Sequence, residues 1–352
     1  MNVKAKFLTG LLGRVLVTLP VAGLFASCGL VRDDLPECPV PVVELRFIYE
    51  YNMEYANAFH NQVDCLSAYF FDEGGHLVAV ERVTDRPTLA DETYRMHPQL
   101  PAGSYHVVAY GGMECDESSF RQANPLQTGD HYTGLHVQLD PAALTDISRA
   151  RLHNHFFGTT EFTIDPQTDT YATVEMMRNT NSIQVALQHV DGAPIDCDDF
   201  VFEITDDNND FDCENRLLAT GEIAYRPYNT ENRATGTVPA ARDADGTGAQ
   251  EWHAALAQFV TSRLVARKQT PALLHVRRAA DAETVFRIPL INYMLLFKQD
   301  NTGAGLDGMN DQEYLDRENR WHFVFFLDEN DRWISTRIII NDWEVRMNEA
   351  EF

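Results

Sequence analysis

The chain has 352 residues, and its 53 Asp and Glu residues against 28 Lys and Arg residues give a formal net charge of −25 at pH 7. A polyanion of this size will not bind nucleic acid or anionic lipid by electrostatics, which excludes nucleic-acid-binding functions. Because 44% of the residues are hydrophobic, we expect a folded protein, and the length is typical of two domains.

Residues 1–27 have the pattern of a bacterial lipoprotein signal peptide. Three basic residues precede or open an apolar stretch over 15–25, which is too short to span a bilayer. The run Leu24-Phe25-Ala26-Ser27-Cys28 resembles a lipobox, the site at which bacterial lipoproteins are cleaved and acylated. We therefore predict cleavage before Cys28 and acylation of that cysteine, for example with palmitate. An ordinary signal peptide with an incidental cysteine is the alternative.

Residues 28–38 form a short acidic segment that contains a proline, which is typical of a flexible tether. Asp33 and Asp34 lie close behind Cys28 and resemble the acidic signal that sends lipoproteins of Bacteroidales to the outer face of the outer membrane. This segment therefore predicts a surface-exposed protein that is attached to the outer membrane by lipid.

Strand signals dominate from residue 40 onward. The turn residues at 72–75 predict a hairpin over 66–83. A short helix is expected between 139 and 150, with Asp140 as its N-cap and Pro141 in its first turn. In chain order, the strands expected in this part are 42–49, 66–71, 76–83, 104–110, 133–139, 160–164 and 170–177.

A second series of strands begins near residue 179, and 311–317 is expected to be a helix. The stretch 252–265 fits either a helix or a strand, 225–248 is expected to be a long polar loop, and the apolar run 291–297 has the length of a strand. The strands expected here are 182–187, 200–205, 273–277, 285–290, 321–327 and 333–340.

Many short strands and few helices predict an all-β fold of two tandem antiparallel β-sandwich domains. We place the N-terminal domain at 39–166 and the C-terminal domain at 167–352, because Asp165-Pro166 is a break between strand signals.

Five cysteines remain if Cys28 carries lipid, and an odd number implies a free thiol or an intermolecular bond. The five are Cys38, Cys65, Cys115, Cys197 and Cys213. A disulfide between Cys197 and Cys213 would close a hairpin-sized loop, but we favour buried free thiols.

Metal sites are weakly indicated. The loop 206–212 begins like a calcium loop, but its sixth and twelfth positions hold Phe211 and Leu217 where an EF-hand needs Gly and Glu. A solvated loop is the favoured interpretation and an irregular calcium site the alternative. His153 and His155 could share one face of a strand, although a surface or turn pair is favoured, and His131 and His136 are isolated.

No sequence motif of a hydrolase, metalloprotease, nucleotide-binding or dinucleotide-binding enzyme is present. We predict a non-enzymatic protein with no cofactor and no small-molecule substrate. The tryptophans could stack on sugars, but we favour core or interface positions for all four, namely Trp252, Trp321, Trp333 and Trp343.

The C-terminal segment 333–347 alternates apolar and charged residues at its end, which predicts a half-buried strand. Such a strand can complete the sheet of a neighbouring molecule. By spacing alone, a strand that closes its own domain is the favoured interpretation. The residues that would enter a neighbour's pockets are Trp333, Ile338, Ile340, Trp343, Val345 and Met347.

Several segments in order along the chain resemble the FimB-type fimbrial anchor family of Bacteroidales, which includes the minor-fimbrium anchor subunit. The C-terminal segments carry the strongest resemblance. The segments are Cys28–Cys38, Phe47–Met53, Leu100–Tyr105, Met177–Ile183, Thr261–Leu264, Asp311–Arg317, Phe323–Asp328 and Trp333–Trp343.

The resemblance implies two tandem transthyretin-like β-sandwich domains at the base of a surface fimbria, or pilus. It implies a fimbrial stalk subunit as partner, to which the segment 333–347 donates a strand, and a role in fimbrial assembly and length control. It also implies that 259–265 is a strand. Because the family is broad, a tip or accessory adhesin is one alternative, and a surface glycan-binding lipoprotein is another. The stalk partner and any host ligand are not implied.

Overall fold

The computed structural model describes residues 41–146, 150–239, 249–300, 306, 308–341 and 343–346. Residues Pro41–Phe352 form one compact unit. The signal peptide, Cys28, Asp33, Asp34 and Cys38 lie outside the described residues, so these predictions stand as made. No helix in the described ranges is long and apolar enough to cross a membrane.

Strands β1 to β8 form most of the first half of the fold, and six of them make one sheet in the order β1-β8-β7-β4-β2-β3. β1 pairs parallel with β8, whereas the other neighbours in this sheet are antiparallel. The strands are β1 Val43–Tyr51, β2 Leu66–Asp72, β3 Leu77–Val83, β4 Gly103–Gly111, β5 Phe120–Gln122, β6 Val137–Leu139, β7 Phe156–Ile164 and β8 Thr170–Arg178.

The remaining strands build the second half as two further sheets, in the orders β13-β14-β9-β17-β18-β19 and β12-β10-β15-β16. β9 pairs parallel with β17. The strands are β9 Thr180–His189, β10 Phe200–Asp206, β11 Asp210–Phe211, β12 Ile223–Tyr225, β13 Asn229–Pro239, β14 Ala249–Ser262, β15 Leu273–Arg278, β16 Thr284–Pro289, β17 Arg320–Leu327, β18 Trp333–Ile340 and β19 Trp343–Arg346.

In the described ranges, five short helices connect these strands: α1 Phe59–Gln62, α2 Arg86–Ala90, α3 Pro141–Thr145, α4 Leu290–Asp300 and α5 Asp311–Arg317. The predicted cap of α3 is confirmed, because the Asp140 side chain accepts a hydrogen bond from the Ala142 amide at 3.0 Å. The predicted hairpin is also confirmed, since β2 pairs with β3 around a turn in which Gly75 has a φ of 78°.

The core of the second half lies between its two sheets. Alternate residues of β9 and β17 face the same cluster as alternate residues of β10 and β15, which is the arrangement of a β-sandwich. In the first half, β2 is buried on both faces, with Phe70 in one core cluster and Tyr69 and Phe71 in the other. The predicted all-β fold with two sandwich domains is therefore confirmed, with two parallel strand pairs in addition to the expected antiparallel ones.

The two halves share strands as well as a core. β11, from the second half, pairs with β6 and completes a three-stranded sheet in the order β11-β6-β5. β8 lies between β1 and β7, so a boundary at residue 166 would divide the first sheet. The chain passes from the first sheet to the second at Asn179, between β8 and β9. The polar turn at 165–169 is the hairpin between β7 and β8 and not a domain linker.

Three further predictions are corrected. The expected polar loop 225–248 contains β13, an edge strand whose backbone pairs with β14 and whose side chains over 229–234 are mostly exposed. The apolar run 291–297 belongs to helix α4, where Leu290, Ile291 and Met294 are buried at helical spacing. The expected strand 133–139 is shortened to β6 by a 3₁₀ turn at Tyr132–Gly134. The ambiguous stretch 252–265 is mostly strand β14, as the resemblance implied.

The cysteines are only partly as expected. Cys65 and Cys115 form a disulfide whose Cα atoms are 6.0 Å apart, so the preference for free thiols is wrong for these two. Cys65 precedes β2 and Cys115 follows β4, and the antiparallel pairing of these strands brings the two ends together. Cys197 and Cys213 are buried free thiols, as we favoured, and do not bond each other.

We expect the double variant Cys65→Ala/Cys115→Ala to lose about 4 kcal/mol of unfolding free energy, because the disulfide closes a loop with a sequence separation of 50 residues. Urea denaturation of the wild type with and without reductant measures the same loss. The double variant serves as the control, since reductant should not change its stability. An equal response of both proteins to reductant would contradict the pairing.

Candidate functional site

The predicted donor segment lies at one edge of the second six-stranded sheet. β18 pairs antiparallel with β17, and β19 pairs antiparallel with β18, with Trp343 opposite Ile340 and Val345 opposite Ile338. Within the described part of the chain, β19 has no strand on its outer side. It is therefore an edge strand that presents unpaired backbone groups.

The structure divides the described residues of the predicted donor set between two strands, β18 and β19. Ile338 and Ile340 are fully buried in the core of their own domain. Trp333 is half-buried in an aromatic cluster, with its ring centre 5.2 Å from that of Phe286 and 5.8 Å from that of Phe325. β18 thus closes its own sheet, which is the alternative that the spacing favoured. Exposing either isoleucine would cost about 1.5–3 kcal/mol.

Trp343 and Val345 lie on β19, and Met347 lies outside the described residues. The backbone pairing of β19 covers four residues, from Arg337↔Arg346 to Ile340↔Trp343. Within the described part of the segment 333–347, β19 is the strand at the sheet edge, and its backbone pairs with β18 alone among the described strands. This narrows the candidate partner-binding segment to its C-terminal part.

A polar network joins the end of the first sheet to the start of the second, and we call it the junction (Tyr49, Arg178, Asn179, Asn215, Arg263, Asp316 and Asn319). Arg178, at the end of β8, donates to Asn154 Oδ1 at 2.7 Å and to Asn319 Oδ1 at 3.3 Å. Asn319, which precedes β17, donates to the Tyr49 hydroxyl of β1 at 3.0 Å. These bonds connect strands of both sheets.

The second part of the junction is a buried ion pair. Arg263 donates to both carboxylate oxygens of Asp316, at 2.8 and 2.7 Å, and the side chains are 15% and 5% exposed. Arg263 also donates to the backbone carbonyl of Asn215. The Asn215 and Asn179 amides bond each other reciprocally at 2.7 and 3.0 Å. The planar guanidinium bonds both carboxylate oxygens, which fixes the relative orientation of the Arg263 and Asp316 side chains.

Sequence reasoning singled out the segments that form the junction but did not predict that they meet. Met177–Ile183, Thr261–Leu264, Asp311–Arg317 and Phe47–Met53 carried much of the resemblance, and each contributes a residue. Arg317 adds a further contact, because its guanidinium carbon lies 4.1 Å from the ring centre of Tyr51. Arg178 and Arg263 lie at or beside a strand end, whereas Asp316 lies within α5. No common position therefore marked these residues in the sequence.

In the acidic loop 206–212, two of the four carboxylates pair with one lysine. The Lys268 ammonium contacts both Asp206 and Asp207, at 2.6 Å for Asp207, and all three side chains are buried. Asn208 donates to the Arg263 carbonyl at 2.9 Å and accepts from the Tyr225 hydroxyl at 2.7 Å. The loop is a buried structural connection rather than the solvated loop that we favoured. Lys268 pairs with Asp206 and Asp207, and Arg216 pairs with Asp212.

The histidines do not form the pair that spacing allowed. His153 contacts the Asp64 carboxylate at 3.1 Å, whereas His155 is buried between Phe120 and Tyr110, with ring centres 4.4 and 5.7 Å away. Burial, with a smaller contribution from His153, lowers the pKa of His155 to about 3, so its ring is neutral. The favoured surface or turn pair is therefore also wrong for His155.

His131 is not isolated. It lies opposite His76 in a β-bridge, with ring centres 5.8 Å apart.

Among the described residues, Asp196, Cys197 and Asp198 are the one group whose ligand atoms lie close enough to share a metal ion. Asp196 accepts from Asn232 at 2.9 Å and from the Asp198 amide at 3.0 Å, which is the bonding of a turn cap. Both bonds end on Oδ1 of Asp196, so this oxygen holds the turn.

The comparisons with known proteins agree with the resemblance. The family model of the fimbrillin-A associated anchor proteins Mfa1 and Mfa2 matches residues 35–349. The chain belongs to this family. No curated protein sequence is significantly similar to it.

Solved structures of similar proteins extend this result. A candidate adhesin from Bacteroides thetaiotaomicron is 44% identical with a TM-score of 0.81, and the match covers 89% of this chain and 100% of that one. A candidate polysaccharide-binding protein from the same species is 26% identical with a TM-score of 0.72 over the same shares. The fimbrial anchor protein Mfa2 from Porphyromonas gingivalis is 15% identical with a TM-score of 0.62, covering 88% and 100%, and shares the fold.

We expect Asp316→Asn to lower the unfolding free energy by about 3 kcal/mol, because it leaves the Arg263 guanidinium buried without a counter-charge. Urea denaturation at pH 7 measures the change. Asp281→Asn is the matched control, since Asp281 pairs with Arg278 at the exposed surface and its loss should leave stability nearly unchanged. Equal effects of the two variants would contradict a special role for the junction pair.

The neutral ring of His155 predicts a pH dependence of stability. The unfolded chain binds a proton at this histidine below about pH 6.5 while the folded chain does not, so lowering the pH favours unfolding. Between pH 6.5 and pH 5 this group should remove about 2 kcal/mol of unfolding free energy. His155→Phe should lose less over that interval, whereas the exposed His322→Gln should behave like the wild type. Identical pH profiles for wild type and His155→Phe would contradict the assignment.

Proposed function

We propose that this protein is a non-enzymatic lipoprotein that anchors a surface fimbria to the outer membrane. Membership of the fimbrial anchor family over 35–349 is the observation that carries this proposal. The lipid on Cys28 would hold the base, and Asp33 and Asp34 would direct the protein to the outer face. Because the charge of −25 disfavours electrostatic attachment to anionic lipid, the acyl chains would supply the membrane affinity.

The partner would be the first stalk subunit of the fimbria, bound through the C-terminal edge. β19 and the residues after it would leave β18 and pair with an open edge of the stalk subunit. Trp343, Val345 and Met347 would then enter its pockets, because alternate residues of a strand share one face. β18 would stay in place, since Ile338 and Ile340 belong to the core. Such a joint would set where the polymer ends and so limit its length.

Two other functions compete with anchoring. A tip or accessory adhesin would use the same fold, and the 44% identical structure is of a candidate adhesin. Glycan binding is favoured by the 26% identical candidate polysaccharide-binding protein. A glycan site of that kind needs a row of exposed aromatic residues, and in the described part of the chain the large exposed aromatics are Tyr55 and Tyr171. Anchoring is therefore the better-supported proposal.

Deletion of the gene should release long fimbriae into the medium, which electron microscopy of cells and of culture medium would show. Complementation with the full gene should restore attachment. A gene truncated after Asn341 removes β19 but keeps the isoleucines of β18, so its product should remain on the membrane while fimbriae are shed. Cys28→Ser should release the protein together with the fimbriae.

A matched pair of substitutions tests the donor strand. Val345→Asp should shed fimbriae, because it places a charge in the apolar series of β19, whereas Glu344→Gln in the alternate series should not. Fimbriae that stay attached in the deletion strain would reject anchoring and favour a tip adhesin or a glycan-binding lipoprotein. Fimbriae that stay attached with Val345→Asp would reject strand donation alone.

A further inference from the structure

The described sheets contain two parallel strand pairs, and a strand of the first pair is followed directly in the chain by a strand of the second. β1 pairs parallel with β8, and β9 pairs parallel with β17, whereas the other described strand pairs are antiparallel. β8 continues into β9 through the single residue Asn179. Tension that is applied at the N-terminal side of β1 and transmitted by strand pairing must therefore cross the β1–β8 pair before it reaches the second half.

The direction of the strands decides how this pair carries tension. In a parallel pair, the start of β1 and the end of β8 lie at opposite ends of the ladder. Val43 is opposite Thr170 and Tyr51 is opposite Met177. Pulling at Val43 and at Arg178 would slide the strands along each other and stretch all their hydrogen bonds together. Pulling at two adjacent ends would instead break the bonds one after another.

β1 is held by more than its ladder with β8. Leu45, Phe47 and Tyr49 are buried in the core of the first half, at 0 to 1% exposure. On the outer side, the Leu45 amide donates to the Met96 carbonyl at 2.9 Å and the Met96 amide donates back at 3.0 Å. β1 can leave the sheet along its length only if these side chains and bonds are given up in the same step.

We propose that the β1–β8 pair is a shear clamp that transmits tension from the N-terminal attachment into the body of the protein. The inference rests on the proposed function for its biological meaning, since an anchor is pulled between its lipid and its fimbria. The junction lies at the far end of the clamp, where Arg178 ends β8 and Tyr49 lies near the end of β1. It passes the load into the second sheet.

The C-terminal side is built differently. β18 ends at Ile340, which lies opposite Phe323 in the first half of β17. Arg320, the first residue of β17, lies opposite Ser182 near the start of β9. Tension that enters at Ile340 and leaves at Ser182 therefore acts at one end of the sheet. It would peel β18 from β17 one hydrogen bond at a time. We expect the N-terminal side to be the stronger of the two ends.

Force spectroscopy on the purified chain that begins at residue 28 tests the clamp. One attachment tag is fused before Cys28, and the second is inserted in an exposed turn, after either Val190 or Gln167. The Val190 position loads β1–β8 in shear. The Gln167 position precedes β8 and loads the same pair at adjacent ends. The unfolding force should be several-fold higher for the Val190 position.

The disulfide provides an internal length standard. It removes 50 residues from the stretched path, so reduction should lengthen the extension by about 170 Å. Thermal unfolding of both tagged chains must match the untagged chain before forces are compared. Equal forces in the two geometries would overturn the shear clamp.

A proline pair tests the ladder independently of the inserted tags. The outward bonds of Leu45 imply that the Arg46 amide, one residue on, faces β8, whereas that of Val43 faces outward. Arg46→Pro removes an amide from the ladder and should lower the unfolding force with tags at Cys28 and Val190. Val43→Pro should leave it nearly unchanged, and equal forces for the two variants would overturn the clamp.

These force measurements use purified protein and no cells, so they test the shear clamp independently of the proposed anchoring function. Equal forces in the two pulling geometries would reject the clamp and leave anchoring in place. Attached fimbriae in the gene-deletion strain would reject anchoring and leave the mechanical result unchanged.

Discussion

The polar junction between the two sheets is the constraint on which the rest of the structure depends. Arg178 must find acceptors on both sides, and Arg263 must keep Asp316, because a charge or amide left buried without a partner costs more than the bond itself contributes. The described arrangement of the two halves satisfies these groups. The junction therefore holds the end of β1 and the start of β17 in a fixed relation, with the chain crossing once, at Asn179.

In this arrangement, different contacts hold the strands that lie nearest the two ends of the described chain. The N-terminal strand is locked by side-chain burial, by Met96 on one edge and by β8 on the other. The C-terminal strand β19 is held at one edge, over four residues. The described strand nearest the N-terminus is thus held along both edges, and the described strand nearest the C-terminus pairs along one. A fimbria-associated role of the family fits this asymmetry.

Much of the fold follows from local patterns. The alternation in 66–83 and the turn chemistry of Gly75 specify a hairpin, and Asp140 followed by Pro141 specifies the start of α3. Local patterns gave wrong secondary-structure predictions where contacts with other elements determine the structure. β13 is polar and lacks the strand signal, yet it pairs with β14 along its length. The periodicity of the apolar run 291–297 fits a strand and a helix equally well. The structure forms a helix there, because β16 ends at Pro289 and one face of α4 packs into the core.

The sequence by itself determined the class of the fold, the family and the candidate lipid site at Cys28, because these depend on residue order and on short-range periodicity. Tertiary structure decided which cysteines pair, where the two halves divide and which part of the donor segment is free. Cys65 and Cys115 meet because β2 and β4 are neighbours, and the first sheet includes β8 because this strand pairs with both β7 and β1. Ile338 lies in a run of three isoleucines and Val345 in an alternating apolar series, and both patterns are typical of a strand. Only the sheet order places one in the core and the other on an edge strand.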